Sequence, residues 1–222
     1  MCCVSRKSIR PAPIRIGTTG LTALQSLCGA SPGSHVFING GSGGTGIYGI
    51  HVAKLIHQAA KVTVTCSEGN IDLVRTMGTD ETIDYRQRNV VEALAESADR
   101  AGRKFDLVIN NIGNDADLYW SSHRYLAKYG NFIQVGMPNI NLASFANVLC
   151  KRFWPTVLGG GRRCFEMVTV KTDSERLREA ADFVSQGKLQ MYIEEVYSLE
   201  HVGEAFKHLK LGGVKGKLVV DI

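Results

Sequence analysis

A glycine-rich loop is the part of this sequence whose residue types and spacing most clearly predict a binding chemistry. In the segment HVFINGGSGGTG a short apolar run leads into five glycines within seven positions, and a helical pattern begins at about Thr45. Glycines let backbone N–H groups approach a phosphate, and the start of the helix favours an anion. The order of strand, loop and helix predicts a site for the pyrophosphate of a nicotinamide dinucleotide, the alternative being a glycine-rich turn with no ligand. The residues concerned are Gly40, Gly43, Gly44, Thr45 and Gly46.

The choice between NADH and NADPH is predicted from the end of the second strand. An NAD-binding protein usually places an acidic residue there, about 20 residues past the loop, to bind the ribose 2′-hydroxyl. This strand ends instead in Thr-Cys-Ser, and the hydroxyl of Ser67 leaves room for a 2′-phosphate, although Glu68 follows directly. Asn70 and Tyr85 could also hydrogen-bond that phosphate. The pattern favours NADPH.

Other site chemistries do not match the sequence. The six cysteines form no C-x-x-C pair and have no histidine-rich neighbourhood, so neither a metal site nor a disulfide is expected. A Walker loop needs Lys after its last glycine, whereas Ile47 follows Gly46. No tyrosine has a lysine four residues later, which excludes a Tyr-x-x-x-Lys proton relay. His51 and His57 lie within a helical pattern and are expected to pack there.

The elements around the loop predict an α/β fold. Apolar runs alternate with amphipathic stretches from residue 34 onward, as in parallel βαβ units wound into an open sheet with helices on both faces. We therefore predict a doubly wound, parallel, six-stranded Rossmann sheet. Its strands are predicted at 35–39, 61–66, 81–85, 105–110, 131–135 and 165–170, and its helices at 45–60, 70–77, 90–98, 118–128, 142–153 and 173–186.

The remaining segments frame this domain. Residues 1–16 are expected to be irregular, 17–190 to form the dinucleotide-binding domain, and 191–222 to add a β-α-β segment with strands at 191–197 and 217–221. The two added strands need partners that the main sheet does not obviously supply. Because unpaired strand edges invite association, the chain is expected to form a homodimer.

The composition limits which binding partners and which cellular compartment are expected. The net charge of +5 is scattered along the chain and suits an anionic small molecule, and nothing favours nucleic acid. No apolar run approaches the roughly 20 residues that cross a bilayer, so no membrane contact is expected. The acid-poor, arginine-containing N-terminus resembles a mitochondrial transit peptide, but Pro11 and Pro13 would interrupt its helix. A cytoplasmic location is predicted, with the mitochondrion as the alternative.

Taken together, the segments resemble the medium-chain dehydrogenase/reductase superfamily, in its zinc-independent quinone oxidoreductase and enoyl reductase branch. The resemblance follows family order from residue 17 to the end of the chain. Its matching segments are GTTGLTALQSL (17–27), NGGSGGTG (39–46), VTCSEGNIDLVRTMGTDETIDY (64–85), FDLVINNIG (105–113), FIQVGM (132–137) and EEVYSLEHVGEAFKHLKLGGVKGKLVV (194–220).

The resemblance implies a role for particular residues. Gly43, Gly44 and Thr45 would hold the pyrophosphate, and Ser67 and Tyr85 would lie near the adenosine 2′ position. Thr22 would approach the nicotinamide ribose, and Lys217 would lie beside the cofactor. Arg15 aligns with a zinc-ligating cysteine of other relatives, so no catalytic zinc is expected. The nicotinamide half would be lined by Asn111, Gly113, Val135 and Gly136.

The sequence also departs from the family pattern. The GroES-like catalytic domain that precedes the linker in family members has no counterpart, so residues 191–222 would be a remnant of that domain and the catalytic proton donor is unknown. Close relatives often carry a basic residue where this chain has Glu68-Gly69. The expected function is an NADPH-dependent oxidoreductase that passes hydride to a quinone or an activated C=C bond. The alternatives are a non-catalytic NADP(H)-binding or interaction protein, and a sequence that is part of a longer enzyme.

Overall fold

The described part of the chain forms a six-stranded parallel sheet and a separate two-stranded sheet. The computed structural model describes residues 13–113, 116–135, 163–170, 174–189 and 192–221. The strands are β1 (His35–Asn39), β2 (Lys61–Cys66), β3 (Glu81–Asp84), β4 (Phe105–Asn110), β5 (Leu126–Gln134), β6 (Cys164–Met167), β7 (Ile193–Ser198) and β8 (Lys217–Asp221). The α-helices are α1 (Pro13–Ser26), α2 (Gly44–His51), α3 (Ile71–Thr76), α4 (Val90–Arg100), α5 (Ala116–Trp120), α6 (Ser174–Ser185) and α7 (Val202–Leu211).

The main sheet has the strand order β3-β2-β1-β4-β5-β6, and every neighbouring pair is parallel. The chain starts in the middle of the sheet, moves to one edge, returns past β1 and continues to the other edge. This confirms the predicted α/β doubly wound sheet. The direction of winding reverses between β1 and β4, and ligands of such sheets bind at the carboxyl ends of the strands near this point.

Each face of the sheet carries its own apolar core. On β1, Val36 and Ile38 belong to one core together with residues of α1, α2 and α6. Phe37 points to the opposite face, where it joins Leu94 of α4 and Leu118 of α5. Both faces of β1 are covered, which is why its sequence is almost continuously apolar. The strand is therefore a rigid base for the loop that follows it.

Helix α1 was not among the predicted helices, and the helix predicted at 45–60 changes type part-way along. Helix α1 includes residues 13–16, for which the sequence predicts irregular structure, because proline is tolerated in a first helical turn. It is broken at Gly17, whose φ of 48° and ψ of −159° are not helical, so the predicted boundary at residue 17 is a break within the helix. The helix predicted at 45–60 ends its α-helical part at His51 and continues as a π-helix over Val52–Ile56.

The segment after β4 corrects the prediction of one long helix over 118–128. Helix α5 ends at Trp120, and β5 begins at Leu126. Tertiary pairing explains the difference, because the Phe105 N–H donates to the Tyr125 carbonyl over 2.8 Å and brings the chain into the sheet five residues earlier than predicted. The helix predicted at 142–153 lies outside the described residues.

The C-terminal segment forms its own small unit. Strands β7 and β8 pair with each other in parallel, with α7 as the connection between them. Each of these strands therefore has one edge that no described strand covers. Within the ranges given above, no helix has the length and apolar character needed to span a membrane.

Candidate functional site

The glycine loop between β1 and α2 has the geometry of an anion site. Gly40 ends β1 with a φ of +82°, a left-handed conformation that glycine adopts without strain. A Cβ on Gly46 would lie 2.2 Å from the Gly40 carbonyl oxygen, so this position must be glycine for the helix to pack on the loop. The first hydrogen bond of the helix runs from the Ile47 N–H to the Gly43 carbonyl over 2.9 Å. The preceding N–H groups of α2, including that of Thr45, thus lie at the open N-terminus of the helix.

A chain of buried polar side chains holds the loop from below. The Thr65 hydroxyl accepts a hydrogen bond from the Gly40 N–H over 2.8 Å and donates to Asn39 Oδ1 over 2.6 Å. The Asn39 amide donates to Asn110 Oδ1 over 2.9 Å, and the Asn110 amide donates to Gln134 Oε1 over 3.3 Å. These four side chains are buried and connect the ends of β2, β1, β4 and β5. They hold in place the carboxyl-terminal ends of these strands, where the loop begins.

This polar chain also positions the turn after β4. Asn110 Oδ1 accepts hydrogen bonds from the N–H groups of Ile112 and Gly113, over 3.3 and 3.1 Å. Sequence reasoning missed Asn39, Thr65 and Asn110, although a polar residue near the end of an apolar strand is the signal that could have indicated them.

A cavity of about 450 Å³ lies beside the loop, between the ends of β1, β2 and β3. Five of the predicted residues line it, which places the two predicted halves of the site, the glycine loop and the end of the second strand, around one space. The predicted lining residues are Gly40, Gly43, Ser67, Asn70 and Tyr85. The others are Asn39, Ser42, Thr65, Cys66, Arg86, Val90, Ile112, Gly213 and Val214.

Asn70 connects the loop to the end of β2. It is buried, and its amide donates to Ser42 Oγ over 3.2 Å and to Ser67 Oγ over 3.3 Å. Both hydroxyls retain their own proton for donation to a ligand in the cavity. Ser42 was not predicted, and its position within the glycine loop is the signal that could have indicated it.

The positive charge at the outer end of the cavity is that of Arg86, in the turn after β3. The guanidinium of Arg86 lies 5.8 Å from the ring centroid of Tyr85, within cation–π range. The carboxylate of Glu68 accepts a hydrogen bond from the Gln87 amide over 3.4 Å, and Glu68 does not line the cavity. Burial, and to a lesser extent the Asp84 carboxylate, raise the pKa of the Cys66 thiol to about 11, so this cavity residue is neutral near physiological pH.

Of the residues predicted for the nicotinamide half, Asn111 and Gly113 follow β4 and Val135 follows β5, and none of these three lines the cavity. Both polar atoms of the Asn111 amide are buried and have no hydrogen-bond partner among the residues that the structure describes. Val135 is partly buried, and its N–H donates to the Asn110 carbonyl over 2.9 Å. Thr22 is buried in α1, and its hydroxyl donates to the Thr18 carbonyl over 2.7 Å. Gly136 lies outside the described residues.

The C-terminal segment crosses the glycine loop. We call residues 212–216 the strap. The Gly216 N–H donates to the Ser42 carbonyl over 2.9 Å, and Gly216 forms an isolated parallel bridge with Gly43. Two residues of the strap, Gly213 and Val214, line the cavity. Sequence reasoning did not predict the strap, because no local pattern links positions so far apart.

Lys217 follows the strap and packs on the loop. A Cβ on Gly44 would lie 3.3 Å from the Lys217 side chain, so glycine at this position makes room for the lysine. The ammonium group lies 5.6 Å from the ring centroid of Tyr48. Burial lowers the pKa of Lys217. The predicted placement of a lysine beside the loop therefore agrees with the geometry.

Metal binding has no visible basis in the described ranges. No group of three or more His, Cys, Asp or Glu side chains is arranged there to hold a metal ion. The expected absence of a catalytic zinc stays a prediction, because other parts of the chain are not described.

Comparisons with known proteins identify relatives over most of the chain. The trans-enoyl reductase pgmF of Aspergillus terreus (strain NIH 2624 / FGSC A1156) is 34% identical over 212 residues, which are 93% of this chain and 58% of that protein. The mitochondrial NAD(P)H oxidoreductase RTN4IP1 of Danio rerio is 31% identical over 84% of this chain and 49% of its own length. The quinone oxidoreductase structure from Coxiella burnetii matches with a TM-score of 0.75 and 26% identity, over 92% of this chain and 58% of that one.

The chain thus spans less than two thirds of the length of these relatives. A family model described as zinc-binding dehydrogenase matches residues 77–220, from the end of α3 into β8. This match and the identity to pgmF extend over the sheet, the cavity and the strap. The chain belongs to the zinc-binding dehydrogenase family of the medium-chain dehydrogenase/reductase superfamily.

Proposed function

We propose that the chain binds NADPH and is the cofactor-binding part of an oxidoreductase that transfers hydride to a quinone or an activated C=C bond. The observation that carries this proposal is the glycine loop, which opens the N-terminus of α2 beside a cavity of about 450 Å³. In this arrangement the pyrophosphate lies on the loop at Gly43, Gly44, Thr45 and Gly46. The partial positive charge of the helix start and the backbone N–H groups stabilise it.

The two sides of the loop suit the two halves of a dinucleotide. The cavity takes the adenosine half, with Ser67, Asn70 and Tyr85 around its ribose. The nicotinamide half lies toward Asn111 and Gly113. Support comes from the buried Asn111 amide, because leaving such a group without a hydrogen bond costs about 1–3 kcal/mol and a carboxamide ligand could satisfy both of its atoms.

A reduced nicotinamide supplies a hydride, which is two electrons and one hydrogen nucleus, to an electrophilic carbon or quinone oxygen. Reduction of the substrate is completed by one proton from water or from an acid. The role of the described residues is to bind and orient the cofactor. The names of the relatives, a trans-enoyl reductase and a quinone oxidoreductase, support these two substrate classes.

A second candidate function is cofactor binding without catalysis. The described residues that were predicted for the nicotinamide half are Thr22, Asn111, Gly113 and Val135. They include no histidine, carboxylic acid, lysine, tyrosine or cysteine, which are the side chains that act as general acids. A chain that binds NADPH but does not oxidise it in the presence of a quinone or an enone would fit this second function.

We further infer a cytoplasmic homodimer, with the mitochondrion as the alternative location. The proline pair near the N-terminus supports the cytoplasmic location, and the unpaired edges of β7 and β8 support the dimer. Analytical ultracentrifugation of the purified chain tests the dimer, and a monomer at micromolar concentration would contradict it.

The cofactor proposal is tested by calorimetric titration of the purified chain with NADPH and with NADH, followed by absorbance assays with a simple quinone and a simple enone. Binding of NADPH with turnover supports the oxidoreductase. Binding without turnover supports the second function. Failure of both dinucleotides to bind would overturn the proposed site.

A further inference from the structure

We propose that Arg86 is the residue that recognises the 2′-phosphate of NADPH and sets the preference of this site for NADPH over NADH. This inference rests on the proposed function and deepens it. Neither the glycine loop nor Ser67 alone supplies a positive side chain at the adenosine end of the cavity. Arg86 is the basic residue that lines it within the described part of the chain.

The register between β2 and β3 places Arg86 and Ser67 at the same end of the sheet. Strands β2 and β3 pair in parallel, with Cys66 opposite Asp84, so the residues that follow each strand emerge side by side. The turn is fixed by a hydrogen bond from the Arg86 N–H to Asp84 Oδ1 over 2.9 Å. The backbone of Arg86 is therefore positioned by the strand register and by this hydrogen bond to the Asp84 side chain.

The ring of Tyr85 orients the guanidinium. Tyr85 is half exposed and lines the cavity, and Arg86 Cζ lies 5.8 Å from its ring centroid. Stacking over an aromatic ring leaves the N–H groups at the rim of the guanidinium free to form planar, paired hydrogen bonds with phosphate oxygens. The hydroxyl of Ser67 is a further donor to the same group.

The charges around Arg86 leave it available to an anion. Across the described ranges, Arg86 forms no ion pair within 4 Å, whereas Arg88, two residues further, pairs with Glu96. The carboxylates of Asp84, at the end of β3, and of Glu68, after β2, accept hydrogen bonds from the Arg86 N–H and from the Gln87 amide. The described cavity residues include no acid that could accept a hydrogen bond from the 2′-hydroxyl of NADH.

Arg88 provides a matched control for Arg86. It has the same charge, lies on the same turn and is similarly exposed, but it does not line the cavity. Replacing either arginine by glutamine removes one positive charge from this surface. Only Arg86→Gln removes a donor from the proposed 2′-phosphate position.

The experiment compares wild type, Arg86→Gln and Arg88→Gln by calorimetric titration with NADPH, NADH, 2′,5′-ADP and 5′-AMP. Thermal unfolding of each variant shows that the fold is retained, which is expected because both side chains are exposed. Arg86→Gln is expected to weaken NADPH and 2′,5′-ADP about 10-fold or more, since a charge-assisted hydrogen bond is lost. NADH and 5′-AMP should bind the three proteins within about 2-fold.

The Arg86→Lys variant keeps the positive charge but loses the planar guanidinium group. It is expected to retain only part of the NADPH affinity, because lysine cannot form the paired hydrogen bonds. Equal losses in Arg86→Gln and Arg88→Gln would overturn the inference, because a general surface field would then explain the effect. Unchanged NADPH affinity in Arg86→Gln would overturn it while leaving cofactor binding intact. Absence of NADPH and NADH binding to wild type would instead overturn the cofactor proposal itself.

Discussion

At the scale of single residues, two glycines of the same loop have different roles. Gly46 is required by packing, because a Cβ there would lie 2.2 Å from the Gly40 carbonyl oxygen and 2.6 Å from that of Gly41. Gly43 has space for a Cβ, with its nearest neighbour at 3.8 Å, and its φ of −76° is accessible to any residue. Gly43, however, lines the cavity. Gly46 is therefore required by the fold, whereas Gly43 borders the proposed cofactor site.

We expect Gly46→Ala to lower the free energy of unfolding by about 2 kcal/mol through steric overlap. Gly43→Ala should change it by less than about 0.5 kcal/mol. The same Gly43→Ala change should weaken NADPH binding by about 10-fold, because in the proposed site the added methyl group would lie where the pyrophosphate approaches the backbone. Urea denaturation and calorimetric titration measure the two quantities. A Gly46→Ala protein as stable as wild type would contradict the packing argument.

The protonation state of Lys217 makes the free energy of unfolding depend on pH. Burial lowers the pKa of Lys217 in the folded chain, whereas a lysine in the unfolded chain has a pKa of about 10.4. At a pH between these two pKa values, the folded chain has released the lysine proton and the unfolded chain still holds it. The free energy of unfolding therefore gains a contribution as pH rises through that range. Below the range the burial penalty on the charged lysine is present in full.

The expected result is that Lys217→Met shows a smaller change in the free energy of unfolding than wild type as the pH rises toward about 10.4. Lys210→Met, at an exposed position of α7, is the control and should follow the wild-type dependence. Urea denaturation across this pH range measures the difference. Identical pH dependence in Lys217→Met and wild type would show that the lysine is not held in a desolvated position.

At the scale of elements, the buried polar chain connects four strand ends that the apolar cores cannot align by themselves. Asn110 is its central member, because it donates to Gln134 and accepts from Asn39 and from two backbone N–H groups. Replacing it by leucine leaves the Asn39 amide without this acceptor inside the sheet. Buried groups that lose a partner are costly.

We expect Asn110→Leu to lower the free energy of unfolding by about 3 kcal/mol. The comparison is Asn89→Ala, which removes a surface helix cap whose side chain accepts from the Glu92 N–H over 3.1 Å, and should cost about 1 kcal/mol. Urea denaturation of both variants tests the ranking. A smaller loss for Asn110→Leu than for Asn89→Ala would show that the polar chain does not stabilise the sheet.

Sequence patterns predicted strand bounds best where the strand is buried on both faces of the sheet. The bounds of β1, β2 and β4 were predicted correctly, because apolar or β-branched runs define them. The bounds of β8 were also predicted correctly, although this strand is only partly buried. The start of β5 was predicted wrongly, since the residues around Tyr125 fit a helix locally and join the sheet only through pairing with Phe105. Local pattern cannot show which distant strand will pair with a segment.

The same limit applies to the site. Ser67, Asn70 and Tyr85 were each predicted as polar side chains that could hydrogen-bond a 2′-phosphate, and the structure brings them into one cavity. Arg86 was missed, because its approach to the cavity depends on the register between β2 and β3. The polar chain was missed for a similar reason, since its members belong to four strands.

At the scale of the whole molecule, the strap joins the small C-terminal unit to the glycine loop. Gly216 has a φ of +67°, and a Cβ there would lie 2.2 Å from the Tyr192 carbonyl oxygen. The contact of the strap with Ser42 and Gly43 thus depends on glycine at this position. Gly203 of α7 offers a neutral comparison, because a Cβ there would have no neighbour within 4 Å among the described residues.

Gly216→Ala is expected to release the strap, so that residues 192–221 become sensitive to limited proteolysis while the main sheet stays protected. Gly203→Ala should keep the wild-type digestion pattern. Mass spectrometry of the fragments identifies the sites of cleavage. Equal protection of the segment in Gly216→Ala and wild type would show that the strap does not depend on this glycine.

The bridge between Gly43 and Gly216 also imposes an order on folding. The loop lies near the beginning of the sheet, whereas its covering segment is synthesised after all six strands of that sheet. Closing so long a segment carries an entropic penalty that is offset only once both ends are formed. Because domains tend to fold from the N-terminus during synthesis, the dinucleotide loop should emerge from the ribosome uncovered and acquire its cover among the last events.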